Sequence, residues 1–316
     1  MPLAKPSPES AQRPRLLVLE LWGLGDLVLS LPFLKTAASN YDVALVAKPV
    51  AAPLLRRFTP EVQLIPFTAP WTKFTNKYQV LRWPWGDLFR IVRAMRREHA
   101  VVGVSARRDP RDHFLLRISG AKQRMGFARA GSKFLLTEPL SQPASPHRAT
   151  HWVALADALG LKVPHLPALK AISASKQIVI HTGAGHPVRE WPRERFEELG
   201  RRLRADGWSV ELIDNSLGEL DALTAKLAPA CCFIGNDSGP GHLAAFVGVP
   251  TFTIFGPQLP ELFAPRHPQA DWIEGAPCPF KPCFDRCRFP TPFCLTSVSV
   301  DMVLPRVRNW LKTIQS

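Results

Sequence analysis

Three glycine-bearing turns hold the residues of this 316-residue chain whose types and spacing could do chemistry. The richest reads Gly235-Asn236-Asp237-Ser238-Gly239-Pro240-Gly241-His242, between an apolar strand-like run at 230–234 and a helical stretch at 242–247. Free backbone N–H groups at the start of a helix hold anions, and the helix dipole assists. Ser238 adds a hydroxyl donor, and Gly239 and Gly241 allow the backbone to approach a phosphate closely. A diphosphate would fit there. The same residues also suit a plain capped turn, with Asp237 or Ser238 as the cap. In the second turn, Gly183 and Gly185 follow a strand-like run at 177–181, with Thr182 before them and His186, Arg189 and Trp191 after. Arg189 could neutralise phosphate charge from another side, or it could be an ordinary surface arginine. The third turn, Gly23-Leu24-Gly25-Asp26, places a carboxylate just beyond a strand at 16–19. The C-terminal ends of parallel strands are where such sheets bind ligands, and Asp26 could accept a proton from a hydroxyl. Spacing alone fits a helix cap equally well. No dinucleotide fingerprint and no P-loop is present.

The six cysteines divide unevenly. Cys231 and Cys232 sit in an apolar run, whereas Cys278, Cys283, Cys287 and Cys294 crowd into seventeen residues. Four close cysteines in a reducing compartment suit a structural zinc better than disulfides. Packed, reduced thiols are the alternative. No catalytic metal is expected.

The elements that must position these turns alternate. Strand-like runs at 16–19 and 43–46 flank a helical stretch, then a basic helix at 88–98, a strand at 101–105 and a strand edge at 124–127 follow. Residues 137–150 read as loop and 151–159 as helix. The pattern restarts with strands at 177–181, 208–213, 230–234 and 251–255, helices at 193–206 and 217–227, and a closing helix at 302–314. Strands alternating with helices imply parallel, doubly wound α/β sheets. The expected organisation is a disordered leader at 1–15, a Rossmann-like domain at 16–168 and a second at 169–316, facing across a cleft.

Composition narrows the classes. Apolar residues make up 46% of the chain, which suits ordinary cores. No apolar run is long enough to cross a bilayer, and the first fifteen residues lack the apolar stretch of a signal peptide. A cytoplasmic location is the expectation. The net charge is +14, and all of it falls in residues 1–170, which hold 25 Lys and Arg against 11 Asp and Glu. Such a field draws an anionic partner. Nucleic acid is not expected, because basic and aromatic residues do not interleave as they do in nucleic-acid binders.

Read together, the segments Leu24–Pro32, His181–Gly185 with Arg189–Pro192, Gly235–Ala245 and Phe255–Pro257 resemble glycosyltransferase family nine, the ADP-heptose:lipopolysaccharide heptosyltransferases. The resemblance implies a GT-B fold and inverting transfer of heptose from ADP-heptose to an anionic Kdo-lipid A type acceptor, without a catalytic metal. It also implies work at the inner face of the inner membrane, as a peripheral protein. In the family's pattern the general base falls on Asp26, beside Gly23 and Gly25. The donor site falls on Thr182, Gly183, Arg189, Glu219 and Asp237, Ser238, Gly239, Pro240, Gly241 and His242. Family members also transfer other sugars. A non-catalytic basic scaffold or nucleic-acid-binding protein is the alternative from a different class.

Overall fold

Leu16, Leu17, Val18 and Leu19 are wholly buried, as a strand covered on both faces by helices requires. They lie in β1 (Arg15–Glu20), which pairs in parallel with β2 (Asp42–Ala47) and β4 (Val102–Ser105). The computed structural model describes residues 13–73, 79–164, 175–218 and 220–315. Residues 1–12 of the expected leader and the proposed donor residue Glu219 therefore lie outside the described residues, while Arg15 already belongs to β1.

The chain folds as two compact units. The first comprises residues 1–21, 32–142 and 154–162, and the second residues 22–31, 143–153 and 163–316. The first unit carries a six-stranded parallel sheet completed by β3 (Gln63–Pro66), β5 (Gln123–Gly126) and β6 (Glu138–Pro139), in the order β3-β2-β1-β4-β5-β6. This is the doubly wound order, reversing between β1 and β4. The edge strand β6 lies where loop was expected. Two residues ending in Pro139 show no period, and the pairing rests on Thr137 N–H to Arg124 O at 3.0 Å and Leu140 N–H to Gly126 O at 2.8 Å. Helices α1 (Leu24–Ala38), α2 (Ala51–Phe58), α3 (Trp85–Arg97), α4 (Pro110–Ser119) and α5 (Arg148–Ala158) alternate with these strands, and α1 and α5 contribute residues to both units.

The second unit is built on β7 (Gln177–His181), β8 (Ser209–Ile213), β9 (Cys232–Asn236), β10 (Thr251–Phe255) and β11 (Asp271–Glu274), all parallel, in the order β11-β10-β9-β7-β8. Its helices are α6 (Arg193–Ala205), α7 (Leu220–Leu227), α8 (Gly239–Phe246), the short α9 (Pro260–Phe263) and α10 (Phe293–Thr296), and α11 (Val300–Gln315). Ile178, Ile180, Ile234 and Ile254 of the sheet pack with Phe196 and Leu199 of α6 and Val303 and Val307 of α11. Each such side chain contributes about 1.5–3 kcal/mol on burial. Trp191, 1% exposed, meets Phe196 edge-on at 4.8 Å and donates its indole N–H to Val298 O at 2.7 Å. The core therefore grips the chain immediately after Arg189. Helix α7 begins three residues later than the apolar pattern suggested, because Asp214 accepts the Ser216 N–H at 2.9 Å and winds 215–217 into a separate turn.

Candidate functional site

In the second sheet the chain runs outward from β7 to β8 and returns on the other side as β9, so strand order reverses between β7 and β9, where His181 sits opposite Gly235. A crevice opens outside the strand ends at such a reversal. The loops leaving β7 and β9 carry Thr182–Glu190 and Asp237–Ser238.

Asn236, 1% exposed, ties the two loops together. Its Oδ1 accepts the Trp191 N–H at 2.9 Å, and its Nδ2 donates to Thr182 O at 2.8 Å and Gly183 O at 3.2 Å. His181 Nδ1 donates to Gly183 O at 3.0 Å, and Glu190 accepts the Ala184 N–H at 3.1 Å. Asn215 donates to Ala184 O at 3.0 Å and lies so close to Gly183 that a Cβ there would sit 2.6 Å from its side chain. Thr182 is buried, its hydroxyl turned back to Ile213 O at 3.4 Å. An open pocket of about 480 Å³ lies beside these residues, lined by Thr182, Gly183, Pro187, Glu190, Asp214 and Asn215 among others.

Charge concentrates at the other end of the loops. The Arg189 guanidinium grips Asp285 in a two-pronged pair, Nε–Oδ1 2.5 Å and Nη2–Oδ2 2.7 Å, and reaches Asp237 Oδ2 at 3.4 Å. Burial lowers the guanidinium's proton affinity, but the hydrogen bond to Asp285 and the charges of Asp237, Asp285 and Asp26 outweigh it, so Arg189 stays firmly cationic. Asp237 is 4% exposed, and its carboxyl is pushed up to about 6. Burial is the main cause. Arg189 opposes it, and the charges of Asp285 and Asp26 add to it.

Ser238 is the N-cap of α8 in an extended conformation, yet its side chain makes no cap hydrogen bond. Ser238 Oγ and His242 Nδ1 are both buried without a hydrogen-bond partner. Unpaired buried polar atoms cost about 1–3 kcal/mol each, so a pair of them at a helix start marks a place prepared for something polar. Burial presses His242 down to about 4 and keeps it neutral, and a proton on neighbouring His147 would oppose one on His242 further. His147 is itself neutral: its Nδ1 accepts the Ala149 N–H at 3.1 Å, leaving Nε2–H to donate to Ala264 O at 2.8 Å. Pro240 sits in the first turn of α8, where a missing N–H is harmless.

The segment 22–31 belongs to this same unit. Two glycines let it close onto α8. A Cβ on Gly25 would lie 2.6 Å from His242 Cδ2, and one on Gly239 2.7 Å from Leu24 Cβ. Gly241 has more room, its nearest neighbours standing at 3.5 Å and beyond. Asp26 is the third residue of α1 and accepts the Gly23 N–H at 3.4 Å, half of a capping box. Its charge is felt by Arg189, Asp237 and His242. Asp26, Arg189, Asp237, Ser238 and His242 thus gather around the start of α8, with Thr182 and Gly183 along the adjoining pocket.

Asp285 was not anticipated. It lies 96 residues from Arg189 in a turn where Phe284 and Asp285 have φ of 49° and 68°, inside the cysteine cluster, where only the thiols drew notice. Cys278, Cys283, Cys287 and Cys294 line one small cavity as free thiols, and burial pushes those of Cys283 and Cys294 up. Among the described residues, no three His, Cys, Asp or Glu side chains are placed to hold a metal ion. Structural zinc and packed thiols both stand as readings of this cluster. The order the loop imposes bears instead on Asp285. Among the described residues, no helix is long and apolar enough to cross a membrane.

Residues 216–291 match the family model of glycosyltransferase family 9 (heptosyltransferase). A curated relative, lipopolysaccharide heptosyltransferase 1 of Pseudomonas aeruginosa, is 28% identical over 130 residues, covering 34% of this chain and 36% of the relative's own length. Among solved structures, E. coli ADP-heptose lps heptosyltransferase II matches with a TM-score of 0.69 and 19% identity over 96% of this chain and 100% of that one. E. coli heptosyltransferase WaaC with ADP matches at 0.70 and 16%, over 94% and 99%. A family 9 glycosyltransferase of Veillonella parvula matches at 0.73 and 16%, over 96% and 99%. At such identities the structural likeness speaks for the fold, which is GT-B. Family model, curated relative and fold all point one way: this chain is similar to glycosyltransferase family 9.

Proposed function

We propose that this protein is an inverting glycosyltransferase that moves a heptose from ADP-heptose to a hydroxyl of an anionic lipopolysaccharide inner-core acceptor of the Kdo-lipid A type, at the cytoplasmic face of the inner membrane. The observation that carries the reading is the pair of unpartnered buried polar atoms, Ser238 Oγ and His242 Nδ1, at the start of α8 beside the Arg189 fork. A diphosphate answers both needs. Its oxygens accept from Ser238, from the free N–H groups of α8 and from Arg189. The nucleoside lies along the pocket of about 480 Å³, a volume usual for small-molecule sites. ADP and lipopolysaccharide appear in the names of the relatives, and the basic first half of the chain suits an anionic glycolipid.

The chemistry follows from the charges. Asp26 accepts the proton of the acceptor hydroxyl as that oxygen bonds to the anomeric carbon, on the face opposite the nucleotide. The bond from that carbon to the diphosphate oxygen breaks, and the electron pair leaves with ADP. Arg189 and the N–H groups of α8 stabilise the growing negative charge. The positive charge this step needs is supplied by side chain and backbone, so no catalytic metal enters the scheme. His242, neutral because it is buried, can donate an Nδ1–H hydrogen bond to a diphosphate oxygen.

Calorimetric titration with ADP, UDP, GDP and NAD tests the donor side. The reading requires a clear preference for ADP. Tighter binding of UDP or GDP would discard heptose as the donor sugar, and binding of none of them would remove the nucleotide site.

A further inference from the structure

The start of α3 presents an unusual surface. Leu81, Trp85 and Phe89 are 96%, 55% and 70% exposed. Trp85 and Phe89 are four residues apart on the helix and therefore stand on one face. At 100° per residue, Arg90, Arg93, Arg96 and Arg97 fall on the same exposed side, while Ile91 and Met95 turn inward and are buried. Arg82 flanks Leu81 and is exposed too. A helix whose outer face combines large apolar groups with arginines reverses the usual division of labour, in which the outer face is polar throughout.

The aromatic part is anchored. Trp71 is buried, its ring 5.5 Å from that of Trp83, which stands 6.0 Å from that of Trp85. A ladder of indoles therefore leads from the core of the unit to its surface and holds Trp85 outward. Two of the arginines have local duties: Arg90 pairs with Asp87, and Arg96 donates to Ile118 O at 2.8 Å. Asp87 is the only acidic residue of α3.

We propose that Leu81, Trp85 and Phe89, ringed by Arg82, Arg90, Arg93 and Arg97, dock this protein on an anionic lipid bilayer. The apolar groups would enter the headgroup region, where tryptophan is favoured, and the guanidinium groups would meet the phosphates. Charge complementarity selects this occupant: the patch lies in the half of the chain that holds the whole +14 excess, and polybasic segments gain from anionic headgroups. A partner for α3 made of protein would need a matching acidic, apolar groove, and a nucleic acid would leave Leu81 and Phe89 with nothing to cover them. The inference builds on the proposed glycolipid acceptor. Its test uses vesicles that contain no acceptor, so the two can fail separately.

The experiment is cosedimentation of the full chain with vesicles of phosphatidylcholine and phosphatidylglycerol in equal parts, and with phosphatidylcholine alone. The expected result is binding to the anionic vesicles, weakened by salt, and at least about tenfold weaker in the L81S/W85S/F89S variant. The R90Q/R93Q/R97Q variant should bind weakly and lose the salt dependence. Both variants should keep the wild-type circular dichroism and affinity for ADP, which show that the fold and the nucleotide site are intact. F89S alone alters a side chain that is mostly in water and should weaken binding without threatening the fold. Three outcomes would overturn the proposal: no binding of the wild type to anionic vesicles, variants that bind like the wild type, or loss in the variants of binding to a short duplex RNA while vesicle binding stays unchanged.

Discussion

Replacing Arg189 with Gln should expose what its guanidinium holds together. The side chain pairs with Asp285 at 2.5 and 2.7 Å and reaches Asp237 at 3.4 Å. Removing one partner of a fully buried ion pair costs about 3–5 kcal/mol. Arg189 is 25% exposed and Asp285 8%, so water relieves part of this, leaving about 1–3 kcal/mol. At about 2–4 °C per kcal/mol for domains of this size, the melting temperature should fall by about 2–12 °C. The deficit should depend on pH. Asp237, already pushed up to about 6, loses the cation that lowers it and moves higher. In the variant it is protonated at pH 5 and no longer an uncompensated charge, so the deficit narrows there and widens at pH 8. Hydrogen bonds from charged groups are worth about 1.5–3 kcal/mol, so affinity for ADP should fall by about 10- to 150-fold. Thermal scans at the two pH values and calorimetric titration with ADP measure both effects. A melting temperature within about 1 °C of wild type, together with an ADP affinity within about twofold, would refute the clamp.

Asp237 gives a second pH signature. Its folded value of about 6 lies above the ordinary 3.8, so the native state holds the proton more tightly, and its stabilising effect fades as pH rises from about 4 to about 6. By linkage the span is worth about 3 kcal/mol. Asp237→Asn should therefore gain stability relative to wild type over that range in urea titrations, and a difference flat with pH would contradict the assignment. His147, held at about 4 by burial, acts in the opposite sense. The unfolded chain takes up its proton first, so stability is lost as pH falls from 6.5 toward 4. His147→Asn, which can still cap the Ala149 N–H, should lose less over that range in the same titrations. Gly25→Ala places a Cβ 2.6 Å from His242, whereas Gly23→Ala meets nothing nearer than Asp26 Oδ2 at 3.9 Å. The first should cost about 1–3 kcal/mol and weaken ADP binding. The second should be nearly silent in both measurements, and equal effects would undo the packing argument.

The two sheets were legible because buried parallel strands announce themselves: Leu16–Leu19 and Cys232–Ile234 have no polar interruption. The strand order was not. It follows from which strand each crossover returns beside, and only that order shows that the turns after β7 and β9 flank one crevice. Strand β6 escaped notice because two residues carry no periodicity. Gly239 and Gly241 read alike in sequence as phosphate-approach positions, yet Gly239 packs against Leu24 and Gly241 is less confined, a distinction made by a segment more than 200 residues away. The same holds for Gly25 and His242. Asn236 reads in sequence as one member of a motif, although its amide ties three backbone groups of the loop after β7 to the end of β9. Asp285 had no local signal at all, since its significance rests on an ion pair across 96 residues.

The central claim is that Asp26 takes the acceptor proton while the diphosphate rests at α8 and Arg189. Acceptor-dependent release of ADP from ADP-heptose, followed for wild type and Asp26→Asn alongside the ADP affinity of each, tests it most directly. General-base catalysis is worth about 10²- to 10⁴-fold. The account predicts a loss of that size in the release rate, with ADP affinity nearly unchanged. A variant that turns over at the wild-type rate would contradict it.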